Sequence, residues 1–399
     1  MIEHNADGTK ADAIALIRST AAELADIHRA KTYGLWRGKK VSELDAALAA
    51  VDPFRAYADI WMFTGDHGGC VVQGRFGEWV IDRLVEHHSP EAILGLLDAE
   101  VDRNVGRYTE LSPLFGVELD ASCDLGDGIS LEPPAEDMLA RMLRYIPFQR
   151  IELPTGTAML CQSYTVTPAF APVVDRPFGE DASTTTPAYD ERDAVRKRLR
   201  LACLLASVGA VELPISAVQP DRDSCFVSGA VSLTGRPFTP HPLVSFPIVA
   251  SEVATLFEQL GRFSEVDSLA RAIDRLGRSR LAVTDVDKAL ELGMAAEIAL
   301  MHDHSTSNTE ITHKIGSRAA WLLGESAAER ALIFDEMKHL YQARSVAVHS
   351  GALSSRSKVD LMAADRLVTR ALAAIAAHGR FPDWHALTMG GTPEIEAGE

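Results

Sequence analysis

Between Ser251 and Gly379 the sequence is punctuated by helix start and stop signals, and this spacing constrains the fold more than any other feature of the chain. A first helix is predicted from near Ser251 to about Gly277. A second follows Thr284, where Thr284-x-x-Asp287 has the form of a capping box. The third starts around Asn308 and Thr309 and stops at Gly324. Ser326-x-x-Glu329 opens a long fourth helix that Gly351 should end, and a fifth runs from about Ser357 to Gly379, with Pro382 just beyond. Short connections between amphipathic helices imply an antiparallel bundle of about five of them.

Three of these helices place a charged side chain on the face that should be buried. At 100° per residue, Ile333, Met337, Leu340 and Val348 all fall within about 40° of Arg344. Glu297 lies on the stripe of Val286, Leu290 and Met301, and Arg318 with Ile311, Ile315 and Leu322. A buried arginine is expensive unless paired, so each needs a structural or a functional explanation. The structural one is an ion pair, Glu297 with Arg318 or Glu297 with Arg344, that fixes the packing.

Arg344 is followed five positions later by His349, but that spacing alone proves nothing. With 30 arginines and 13 histidines in 399 positions, about one such match arises by chance, and the chain holds four. Arg83/His88 closes a helix beside Pro90 and reads as a solvated helix end. Arg236/His241 sits in a proline-rich linker, and Arg380/His385 straddles Pro382. Only Arg344 lies in the apolar stripe of a long helix. His349 falls 140° further around an ideal helix, toward Lys338 and Ser345. To meet the same ligand, the helix would have to loosen before Gly351, or the partner would have to reach both faces. A histidine near a helix C-terminus is otherwise a favourable dipole contact.

The run "AAEIALMHD…EITHKIGSRAAWLLG…ERALIFDEMKHLYQARSVAVHSGAL" resembles the Apea-like branch of the HEPN superfamily over roughly residues 265–380, about a third of the chain. The likeness rests on the glutamate of the second helix, on "EI…K…SRAAWLL" in the third, and on "LY..RS..VH" followed by glycine. It implies a helical bundle that pairs so that two Arg-x4–6-His motifs face each other across a shared cleft. It also implies a metal-independent endoribonuclease that cuts RNA by attack of the neighbouring 2′-hydroxyl, leaving a 2′,3′-cyclic phosphate and a 5′-hydroxyl. Members recur in defence against phage.

By that resemblance, Arg344 would neutralise the phosphate as it gains charge. His349 would be the general acid or base. Ser345 stands where nuclease members often carry Asn, Asp or His, and Ser350-Gly351 replaces the usual glycine directly after the histidine. Glu297 and Arg318 fit auxiliary, orienting positions. Some members have lost activity and serve as dimerisation, interaction or ligand-binding modules, which is the alternative expectation here. No metal or organic cofactor is implied, because the arginine supplies the charge that a metal ion would otherwise supply.

Residues 1–250 have a different texture. Helices are predicted at 10–30, 42–50, 76–87, 90–108, 135–145 and 191–207. "GVELDASCDLGDGISLEPP" alternates like strands around an Asp-Gly hairpin signal, and "RIELPTGTAMLCQSYTVTPAF" is strand-like. Residues 171–190 read as an exposed loop, and the four prolines of 236–247 as a domain boundary. The expected class is therefore α+β. A mixed domain, 1–250 (with 1–110 helical and 111–250 strand-containing as one subdivision), would sense a trigger ligand or protein or restrain the nuclease. A bundle, 251–385, and an acidic flexible tail, 386–399, would follow.

Composition narrows the setting. The five cysteines are scattered without a Cys-x-x-Cys pair, no 18-residue apolar run exists, and the N-terminus has no secretory pattern, so a cytoplasmic chain without a membrane span is expected. Net charge is −17, which repels polyanions at long range. From Thr255 to His385, however, 16 basic residues face 17 acidic ones, so RNA contacts in the bundle would be local. "TGDHGGC" with His87/His88 matches no zinc spacing. The basic stretch 194–201 reads as a solvated helix face in preference to an RNA patch.

Overall fold

The computed structural model describes residues 9–27, 33–65, 69–72, 74–133, 157–173, 189–228, 232–235, 244–303, 311–354 and 358–390. The fold class is α+β, as expected. The chain divides into two compact units, and the division does not follow a cut at residue 250. The first unit comprises 1–111, 162–192 and 217–234; the second comprises 112–161, 193–216 and 235–399.

In the first unit, four helices, α1 (Lys10–Ile27), α2 (Tyr33–Leu48), α3 (Arg75–Val85) and α4 (Pro90–Arg103), enclose a core of Ile17, Leu44, Phe54, Trp79, Ile81, Ile93 and Leu97. A small antiparallel sheet has β1 (Ile60–Phe63) between β2 (Gly69–Val71) and β7 (Ala169–Pro172). Helix α4 stops earlier than the predicted 108, because Asn104 takes the left-handed conformation (φ 52°) that ends a helix. Arg83, expected to be solvated, is buried and ion-paired to Asp223 and Glu86; its partner in the spacing, His88, lies half-exposed.

The larger sheet has the order β4-β5-β6-β3-β8-β9, with β10 pairing β3 off that path. The unit boundary falls within four of its strands, β3 (Gly106–Leu119), β6 (Thr157–Val166), β8 (Ile215–Pro220) and β9 (Ser232–Gly235). Strands β4 (Cys123–Gly126) and β5 (Ile129–Glu132) form the anticipated hairpin. Both central residues, Asp127 (φ 52°) and Gly128 (φ 74°), have positive φ, the requirement of a tight hairpin turn. Strand β9 covers Ser232–Gly235. Strand β10 (Phe246–Ile248) runs parallel to the end of β3, with Phe246 opposite Val117. The last residues of the proline-rich segment are therefore part of the second unit; residues 236–243 lie outside the described residues, as does the helix predicted at 135–145.

The bundle of the second unit has more helices than predicted: α6 (Ala250–Arg262), α7 (Val266–Leu281), α8 (Asp285–Leu300), α9 (Ile311–Leu323), α10 (Ala327–Ser350), α11 (Leu361–Ala377) and the short α12 (Trp384–Thr388). The single helix expected from Ser251 to Gly277 is broken at Phe263, which is extended (ψ 123°) and packs edge-to-face on Phe381 at 5.3 Å. Ser264 N–H donates to the Gly379 carbonyl at 3.2 Å. The tail begins later than 386, since Trp384 and Leu387 are buried in the bundle core. Both predicted caps form: Thr284 accepts from Asp287 N–H (3.1 Å) and Ser326 from Glu329 N–H (3.2 Å).

Helix α5 (Tyr189–Ala206) belongs to this core as well, through Leu199, Ala202, Cys203 and Leu204. Its basic stretch is not a solvated face. Arg196 is buried beside Asp193, and Arg198 lies 3.8 Å over the Phe257 ring. Arg200 pairs with Asp274 and Glu212. The strongest tie is Arg280, at the end of α7. Its guanidinium, 3% exposed, reaches Asp365 and Thr369 of α11 at 2.9 Å, the Leu204 carbonyl at 2.7 Å and the Gly209 carbonyl at 3.1 Å. Among the described residues no helix is long and apolar enough to cross a membrane.

In the first unit, the Asp45 carboxyl of α2 is buried and accepts the Gly77 N–H of α3 at 2.9 Å. Burial, only partly opposed by that bond, raises it from 3.8 to about 6. The folded state then holds a proton that the unfolded state releases, so this group's contribution to stability falls as pH rises from about 4 to about 6. Asp45→Asn should match the parent near pH 3.5 and exceed it at pH 7, by up to about 3 kcal/mol. Urea unfolding at the two pH values measures this, and a variant weaker than the parent at pH 7 would refute it.

Candidate functional site

Helices α8 and α10 carry the candidate residues. Helix α10 buries Ile333, Met337 and Leu340, as its stripe predicts, but Val348 is exposed because the helix outruns its core. Arg344 sits at that edge. Its Nη2 lies 3.0 Å from Glu297 Oε2, with the two side chains 25% and 33% exposed, so the pair is reachable by solvent on one side. Nη1 is 3.5 Å from the Tyr341 hydroxyl one turn back, and the guanidinium carbon is 5.4 Å from that ring's centre. Burial and then the Glu297 charge push the Tyr341 phenol up, with Arg344 opposing. Of the two predicted ion pairs, Glu297 with Arg344 is the one that forms.

Gly293, one turn before Glu297 on α8, creates the room. A Cβ there would stand 2.5 Å from Arg344 Cγ and 2.6 Å from its Cβ. The arginine stem lies across the bare backbone, and the charge meets the carboxylate one turn further on. Close packing also leaves Arg344 Nε buried without a hydrogen-bond partner. Gly293 is absent from the sequence expectations, and Tyr341 enters them only within "LY..RS..VH". A usable signal existed, since a glycine inside a helix costs about 1 kcal/mol relative to alanine and calls for a packing reason.

Arg318 goes elsewhere. It is buried, forks onto Asp303 at 2.9 and 2.8 Å, donates to the Leu300 carbonyl, and lies 5.4 Å from the Trp384 ring centre. Burial would raise the Asp303 carboxyl, but the Arg318 bonds and charge outweigh it, with smaller help from the His302 charge and a backbone hydrogen bond, and hold it below its ordinary value. Arg318 is thus a clamp closing the end of α8 onto α9.

His349 is exposed on the last turn of α10, and Ser345 is half-buried. The helix does not loosen near its end. The helix stays regular to Ser350, and Gly351 (φ 66°) caps it by donating to the Ala347 carbonyl at 2.9 Å. Arg344 and His349 therefore project from different sides of one unbroken helix. Among the described residues no three His, Cys, Asp or Glu side chains are grouped to hold a metal; Asp66 and His67 lie outside the described residues.

Comparison with protein families, with curated proteins and with solved structures finds no match to this chain.

The fit of Arg344 over Gly293 gives a direct test. Gly293→Ala should destabilise the second unit by about 1–3 kcal/mol through overpacking. Most of that loss should be relieved in Gly293→Ala/Arg344→Ala, a coupling that urea unfolding of the two single variants and the double variant would reveal. Strictly additive losses would mean that the two side chains do not meet.

Proposed function

We propose that the second unit is a HEPN-type helical bundle and that the chain is a metal-independent endoribonuclease, in which Arg344 binds the scissile phosphate and His349 transfers the proton. The observation that carries the reading is the state of Arg344. Arg344 is drawn onto a core helix, held by a carboxylate and left a quarter exposed, whereas Arg83 is buried. A phosphate displacing Glu297 would meet an oriented guanidinium in a partly desolvated setting, where charge stabilisation is strongest. Attack of the 2′-hydroxyl on phosphorus would expel the 5′-oxygen as His349 protonates it, leaving 2′,3′-cyclic phosphate and 5′-hydroxyl ends. Because the two side chains diverge on one helix, a complete site is proposed to form across a homodimer, in a cytoplasmic defence role. The first unit, in this reading, receives the trigger ligand or protein.

A second reading is favoured by a specific feature. The Glu297–Arg344 pair already satisfies the arginine, and a straight helix turns His349 away from it. A bundle built so could serve as a catalytically silent dimerisation, interaction or ligand-binding module.

Cleavage of a mixed RNA pool in EDTA separates the readings. It should use the full chain, since residues 112–161 and 193–216 are part of the second unit and would be lost on removing the first 250 residues. Wild type should give cyclic-phosphate ends, and His349→Ala should lose about 10²- to 10⁴-fold. Arg344→Ala should be equally impaired while remaining folded. Cleavage that persists in both variants, or none by a folded dimeric wild type, would reject the nuclease assignment.

A further inference from the structure

The second unit contains a cleft that the reading above does not use. It has a volume of about 440 Å³ and is bounded by the loop after α5, by β10 and by the adjoining ends of α7, α8 and α11. This volume lies within the range of about 300–1,000 Å³ common to small-molecule sites.

Its walls are apolar and its charge is positive. Val208, Val244, Phe246 and Met362 supply the apolar lining. The Phe246 ring is laid against Gly209, where any side chain would overlap it. The floor is Arg280 with Asp365, a pair whose charges cancel and whose hydrogen bonds are made with each other, with Thr369 and with the Leu204 and Gly209 carbonyls. That pair is structure and is not available to a ligand.

Lys288 at the start of α8 and Arg366 at the start of α11 are different. Both line the cleft, and neither forms an ion pair among the described residues. Both act on Asp360, whose carboxylate is engaged in capping α11 through Met362 N–H (2.9 Å) and Ala363 N–H (3.1 Å). Two basic groups thus line an apolar hollow in a chain of net charge −17. Such placement recognises a molecule with an apolar body and an anionic head.

We propose that this cleft binds a small organic anion, with its hydrocarbon or aromatic part against Phe246, Val208 and Met362 and its carboxylate or phosphate between Lys288 and Arg366. The proposal is independent of the ribonuclease reading, because none of these residues belongs to the Arg344–His349 set. A bound ligand would join three helix ends and the loop after α5, so it would also stabilise the second unit by mass action.

The test uses anilinonaphthalene sulfonate, an aromatic anion whose fluorescence reports binding, with the full chain. One saturable site per chain is expected. Lys288→Glu/Arg366→Glu should weaken it by about tenfold or more. Met362→Trp, which fills the mouth without touching Arg280, should abolish it, and Arg278→Glu, on the exposed side of α7, should leave it unchanged. Octanoate and phenyl phosphate should displace the probe where inorganic phosphate at the same concentration does not; the stronger of the two displacers identifies the preferred head group. Thermal unfolding of each variant checks that the fold is kept. Equal probe binding by the parent, the double variant and the Met362→Trp variant would overturn the proposal. So would displacement by inorganic phosphate as effective as by phenyl phosphate, because the apolar walls would then contribute nothing.

Discussion

The helical unit depends on one buried guanidinium. The Arg280 side chain is only 3% exposed, and a buried arginine with unmet donors would cost several kcal/mol. The chain meets that demand from two distant places: a carboxylate and a hydroxyl on α11, and the carbonyls of Leu204 in the last turn of α5 and Gly209 in the loop after it. The bond set explains why residues 193–216 fold with a bundle that begins some fifty residues later, and why the chain does not divide at its proline-rich segment. Neighbouring contacts act in the same sense. Leu204 approaches the bare backbone at Gly277, and Arg200 reaches Asp274. Helix α5 is in effect a further member of the bundle, delivered by a different part of the sequence.

Features set by local chemistry could be read from the chain. Thr284, Ser326 and Gly351 act through bonds to residues a few positions away, and the Asp127-Gly128 turn needs only two backbone conformations. Features that depend on distant partners could not. Most of strand β3 goes unpredicted, with a helix expected as far as 108 and strand-like alternation only from Gly116; Ser112-Pro113 interrupts its pattern, its central residues are buried on both faces, and its partner β8 lies about a hundred residues away. The break at Phe263 has no proline to announce it, and Gly261, two residues earlier, lies inside α6; the ring packed on Phe263 comes from Phe381, far along the sequence. Arg280 is equally silent, since an arginine in a last turn beside Arg278 reads as a solvated dipole contact.

Helical phase is fixed by spacing, so Arg318, Glu297 and Arg344 all lie at least partly out of solvent. Depth is not so fixed. Arg318 lies mid-helix against α8 and is buried, whereas Arg344 lies where α10 extends past its neighbours, so the same stripe position ends a quarter open. Partners were equally beyond reach: Asp303 comes from the loop after α8, and no periodicity connects it to α9.

That difference in depth separates two kinds of ion pair within one unit. Removing Asp303 would leave a buried charge with only a carbonyl and a ring for company, so Arg318 is committed to its clamp. Removing Glu297 would leave Arg344 with access to water on one side, so the loss would be smaller than for a fully buried charge. An arginine in that position can exchange one anion for another at smaller cost in stability. The geometry that makes the Glu297 pair the weaker structural element of the two is therefore what would suit Arg344 to a phosphate. The straight helix beneath it sets the condition on any such chemistry. With His349 turned to another side, the proton-transfer group for a phosphate at Arg344 must come from a ligand that spans the helix or from a second copy of the chain.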